Sequence, residues 1–72
     1  MITNNEIKRL VDKIWRVEHG NPDVSFVEVQ EAAKYQLRRK LTQEEVRRVL
    51  LKYYEKVDYE EEKKEKEHGL IH

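Results

Sequence analysis

The sequence predicts an all-α fold, a compact three-helix bundle with a charged C-terminal extension that continues as helix. Three observations point there. One helix-start signature occurs three times, as Ile2-Thr3-x-x-Glu6-Ile7, Val24-Ser25-x-x-Glu28-Val29 and Leu41-Thr42-x-x-Glu45-Val46. Apolar residues recur at helical spacing after each signature. The single proline and one of the two glycines fall together, between the first two apolar stripes. In a capping box the Ser or Thr oxygen accepts from the backbone N–H three residues on, and Glu reaches back to the cap's own N–H. The apolar residues on either side then staple the entering chain to the first turn.

The first helix is predicted over residues 4–18, with Ile7, Leu10, Val11, Ile14 and Val17 on one stripe. Gly20 suits the left-handed position that ends a helix, and Pro22 cannot continue one. The second is predicted over residues 26–39, with Phe26, Val29, Ala33 and Leu37 inward and Ala32 and Ala33 permitting close helix approach. Lys40 and Leu41 alone then form the link to the Thr42 cap. The third begins at Gln43 and turns Val46, Val49, Leu50, Tyr53 and Val57 inward. These stripes define a domain over residues 1–57, where a chain of this length buries only about 60% of its unfolded surface.

Residues 58–72 form a Glu/Lys-rich tail with almost nothing to bury. Glu60 with Lys64 and Glu62 with Lys66 are correctly ordered i,i+4 pairs, each worth about 0.2–0.5 kcal/mol of helix. The tail is therefore read as an extension of the third helix, with Gly69 as its stop. The competing readings are a disordered tail and a wing hairpin pairing residues 57–60 with 69–72, the latter opposed by the Glu/Lys run.

Charge is balanced overall but not locally. Fifteen Lys and Arg meet 15 Asp and Glu, yet residues 25–57 sum to plus three and residues 58–72 to minus three. That asymmetry raises the expectation that the acidic tail screens the basic region or folds across it. There is no cysteine, hence no disulfide framework, thiolate nucleophile or cysteine zinc site. No apolar run approaches the roughly 18 residues of a membrane span, and the N-terminus has no signal-peptide core. The expectation is a soluble cytoplasmic protein with no membrane partner.

His19, His68 and His72 have no metal-ligand spacing, and each acid has an ordinary role as a cap, an ion-pair partner or a solvated tail residue. No enzymatic activity, cofactor, metal or small-molecule substrate is expected. The informative surface is basic: Lys34, Arg38, Arg39 and Lys40 around the end of the second helix, and Arg47, Arg48, Lys52 and Lys56 on the third. Glu44 is placed to pair with Arg47 or Arg48. Off the stripes lie Trp15, which widens the core, and Val27, Tyr35 and Leu51, which face solvent.

Two closely joined basic helices after a first helix resemble a helix-turn-helix module. That resemblance covers residues 1–57 and implies a final helix reading the DNA major groove with its N-terminal half. The face it implies carries Gln43, Glu44, Arg47, Arg48, Leu51 and Lys52, and Arg and Gln suit guanine and adenine edges. The expectation is a small DNA-binding or transcription-associated module, with Lys34, Arg38, Arg39 and Lys40 joining the contact surface. The alternative is a protein-interaction domain docking a helical face on a larger protein, as small regulators and viral host-targeting proteins do, with Leu51 as apolar anchor.

Overall fold

The computed structural model describes the backbone of residues 1–70 and the side chains through Lys63. Its elements are α1 (Asn4–Glu18), α2 (Phe26–Gln36) and α3 (Gln43–Leu70), with no strand among the described residues. Each pair of helices packs together, giving the expected three-helix bundle.

The caps form where the sequence places them. Thr3 Oγ1 accepts from Glu6 N–H at 3.2 Å, and Thr3 N–H donates to Glu6 at 3.0 Å. Thr42 and Glu45 repeat the exchange at 3.2 and 2.9 Å. At Ser25 the acid does most of the bonding, because Glu28 Oε2 accepts from both the backbone N–H and the hydroxyl of Ser25. The apolar members of the signature matter beyond the first turn. Ile2, Val24 and Leu41 are all buried, and so are Ile7, Val29 and Val46. Among the described residues, the helix starts thus supply six of the fourteen buried apolar side chains, so local capping and the common core are one construction.

Three features differ from the sequence expectation. Val17 is 59% exposed and Phe26 42% exposed, so neither belongs to the core; Leu37 and Leu50 only pack against its edge, with Trp15. The second helix ends at Gln36, three residues before the expected end at Arg39. Leu37 is its C-cap and Arg38 adopts left-handed φ of 56°. The early stop leaves residues 37–42 to fold back along α2, which a link of Lys40 and Leu41 alone is too short to do. Only then does Leu41 reach the core.

The α1–α2 loop is held from both ends. His19 and Gly20 both take positive φ, 54° and 74°, and turn the chain out of α1. A Cβ on Gly20 would lie 3.1 Å from the Trp15 ring, so both the backbone conformation and the tight contact favour glycine there. Two tyrosines of α3 then pin the loop: Tyr53 donates to the carbonyl of Asn21 and Tyr54 to that of Val24, each at 2.7 Å. Tyr53 is fully buried against Trp15, with ring centroids 5.9 Å apart.

The tail is helical, continuing α3 without interruption to Leu70. A wing hairpin starting at residue 57 is excluded, since that segment lies inside the helix; Ile71 and His72 lie outside the described residues. The extension also runs on along the α3 axis, which carries it away from the basic region instead of across it. The long dimension of 48 Å against 19 and 17 Å records this.

Candidate functional site

The basic surface is built around the α2–α3 junction, and the junction is fixed by two side-chain clamps. Gln30, near the middle of α2, donates to the Leu41 carbonyl at 2.8 Å and accepts from the Leu41 N–H at 3.0 Å. Leu41 is buried, so these two bonds give its peptide groups the partners that no helix or strand supplies there. The second clamp is Arg39, whose guanidinium bonds both oxygens of Glu45 at 3.2 and 3.5 Å.

Glu45 is the one buried charged side chain among the described residues. Its carboxyl sits at about 2, well below the ordinary 4.5, chiefly because the Thr42 N–H bonds the ionised form and then because Arg39 does. Glu6 and Glu28 are also lowered, by their own cap partners Thr3 and Ser25. The third capping box therefore does double duty: it starts α3 and ties it to the turn that precedes it.

These clamps place the predicted site residues as follows. Lys34, Arg38, Arg39 and Lys40 line one shallow depression with Gln30 and Glu31. Gln43 and Arg48 line an adjoining one with Glu44 and Met1, and Arg39 borders both. The two halves of the basic surface are thus contiguous. Arg47 and Leu51 are exposed on α3, Leu51 at 60%.

Lys52 does not join this face. It lines the α1–α3 depression with Asn4, Lys8 and Lys56, and it pairs with Glu55 at 3.4 Å. Lys56 likewise turns to α1, where it pairs with Asp12 at 3.4 Å and stands 4.9 Å from the Trp15 ring centre. Arg39 is committed to Glu45. The expected Glu44 pairing with Arg47 or Arg48 is absent; among the described residues Glu44 is in no ion pair. The cations outside ion pairs around the junction are therefore Lys34, Arg38, Lys40, Arg47 and Arg48. Among the described residues, Arg48 alone of these makes a side-chain hydrogen bond, to the Met1 sulfur at 3.7 Å.

Sequence reasoning missed Gln30 and the burial of Glu45. Gln30 carries no local signal, since a glutamine on a helix is ordinary until the chain eleven residues later folds onto it. Glu45 was legible as a cap but not as the acceptor of an arginine from the turn. A further groove, between α1 and α2, was legible only in part: Val27 and Tyr35 fall off the α2 stripe, whereas Val17 fits the α1 stripe and yet faces out. Among the described residues no three His, Cys, Asp or Glu side chains converge as metal ligands, and no helix is long and apolar enough to cross a membrane. The chain matches no protein-family model, no curated protein and no solved structure.

Proposed function

We propose that the chain is a small non-enzymatic DNA-binding module, of the helix-turn-helix kind and associated with transcription, that presents the first half of α3 to duplex DNA. The observation that carries this reading is that Gln43 and Arg48 line a depression adjoining that of Lys34, Arg38 and Lys40, with Arg47 exposed one turn after Gln43; among the described residues none of these is in an ion pair. A surface of unneutralised cations around a rigid junction suits phosphate binding, and the guanidinium and amide groups suit base edges. In this reading Lys34, Arg38 and Lys40 hold the backbone, while Gln43, Arg47 and Arg48 face bases.

The construction of the junction supports it as well. Gln30 of α2 bonds Leu41, and Tyr54 of α3 bonds the carbonyl of Val24, just before α2. The turn of residues 37–42 is longer than the usual one, and the clamps of Gln30 and Arg39 provide its rigidity.

Fluorescence anisotropy with random duplex DNA at several salt concentrations tests the proposal. The three cations assigned to the backbone imply a slope of log K against log salt of about −2.7, at roughly 0.9 counterions per neutralised phosphate. Lys34→Ala and Lys40→Ala each reduce that slope by about one, Arg47→Ala and Arg48→Ala each weaken binding, and all four leave the melting temperature nearly unchanged. Absence of salt-dependent binding by the folded, unmodified chain overturns the reading.

A further inference from the structure

We infer that the groove between α1 and α2 is a docking site for a basic amphipathic helix of a partner protein. The groove has a volume of about 510 Å³, with Ile14 and Ala32 lining it together with Val17, Val27 and Tyr35. The last three are 59%, 66% and 70% exposed. Single exposed apolar residues are ordinary on a protein surface, but three along one furrow make a patch of the kind that marks interaction sites. The depressions at the α2–α3 junction and between α1 and α3 have similar volumes, yet lysines, arginines and acids dominate their linings. Of these depressions, the α1–α2 groove is the one lined mainly by apolar residues.

The furrow's construction selects the form of the occupant. Both walls are helices, whose backbone N–H and C=O groups are already bonded within each helix, so the walls offer no edge for an extended strand to pair with. The occupant must arrive with its own backbone satisfied, which a helix does. Ala32, small and buried beside the groove, lets a third helix approach closely.

Charge selects its composition. The groove is bordered by Glu18, Glu28 and Glu31 against Lys13 alone. An apolar helix face flanked by Lys or Arg matches that rim, and DNA does not. A second copy docking by the same face would set these acids against one another. The groove adjoins the proposed DNA face, since Glu31 lines both, but it opens on the α1 side of α2, whereas Gln30 and the junction lie on the α3 side.

The test uses two synthetic amphipathic peptides of about 18 residues, five helical turns, with the same leucine stripe. One carries Lys flanks and the other Glu flanks, and each is titrated into the isotope-labelled full chain while backbone amide resonances are followed. The Lys-flanked peptide is expected to shift Val17, Val27 and Tyr35, and the Glu-flanked one to bind about tenfold more weakly. Val27→Glu is expected to lose at least about tenfold in affinity with an unchanged melting temperature, since its side chain is mostly in solvent. Glu31→Lys is expected to narrow the preference between the peptides, and Arg47→Ala to leave both affinities alone. Several results overturn the inference: equal binding of both peptides, shifts confined to residues after Asp58, or no shift at about 1 mM peptide, where even a weak complex is populated. Sedimentation equilibrium showing a dimer that Val27→Glu dissolves also overturns it, by assigning the groove to a second copy.

Discussion

The two sides of α2 are built on opposite principles. Toward α3, the polar groups that folding removes from water are paired: Gln30 holds both peptide groups of Leu41, and Arg39 holds the buried carboxylate of Glu45. Toward α1, apolar side chains that the bundle has room to bury are left in solvent, at Val17, Val27 and Tyr35. The difference separates what the fold needs from what it displays. Removing a clamp acts on stability, and changing an exposed side chain of the open side acts on binding.

The largest expected effect is at Gln30. Gln30→Ala leaves the buried N–H and C=O of Leu41 without partners and costs about 1–3 kcal/mol. Val17→Ser and Tyr35→Ser, across the same helix, stay within about 0.5 kcal/mol of the parent. Urea melts of the three variants check this, and a groove variant that destabilises as much as Gln30→Ala erases the distinction between the two sides.

Glu45 gives the next effect, visible as pH dependence. Its folded carboxyl lies at about 2 and its ordinary value at 4.5. As pH falls through that interval the unfolded chain takes up the proton first, so the contribution is present above about 4.5 and lost toward 2. Glu45→Gln is therefore less stable than the parent at neutral pH, and the two stability curves converge toward pH 2. Thermal melts across the acid range that run parallel instead contradict the assignment. Glu6 and Glu28, lowered for the same reason, keep part of the acid slope in the variant.

The smallest effect concerns the turn itself. Arg38 holds φ at 56°, a conformation that costs an L-residue roughly 1–2 kcal/mol. Arg38→Gly releases that strain but frees the unfolded chain by up to about 1 kcal/mol, leaving a net gain of about 0.5 kcal/mol. A clear loss of stability on calorimetry would mean that the Arg38 side chain itself holds the turn.

Much of the fold was legible because its signals are local. Thr3, Ser25 and Thr42 mark the helix starts to the residue, and the apolar residues beside them are buried as stapling requires. The end of α2 was not legible. A glycine usually marks a left-handed helix terminus, and here an arginine occupies it. Of the candidate site, Lys34, Arg38, Arg39, Lys40, Gln43 and Arg48 line adjoining depressions, whereas Lys52 turns to α1. Helical spacing alone puts Lys52 one turn from Arg48; which neighbour claims each side chain depends on where α1 packs.

By itself, then, the sequence determined the number of helices, their starts, most of the shared core and the helical extension. Those follow from interactions between residues within about one or two turns of each other, which chain order brings together. Tertiary structure decided which cations are spent inside the molecule, which glutamine clamps the junction and which apolar residues stay outside. Arg39, Lys56 and Gln30 meet their partners only after the chain folds back. Val17 lies on the helical stripe of α1 but past the reach of its neighbours, because α2 and the loop leave a furrow there that no described residue fills.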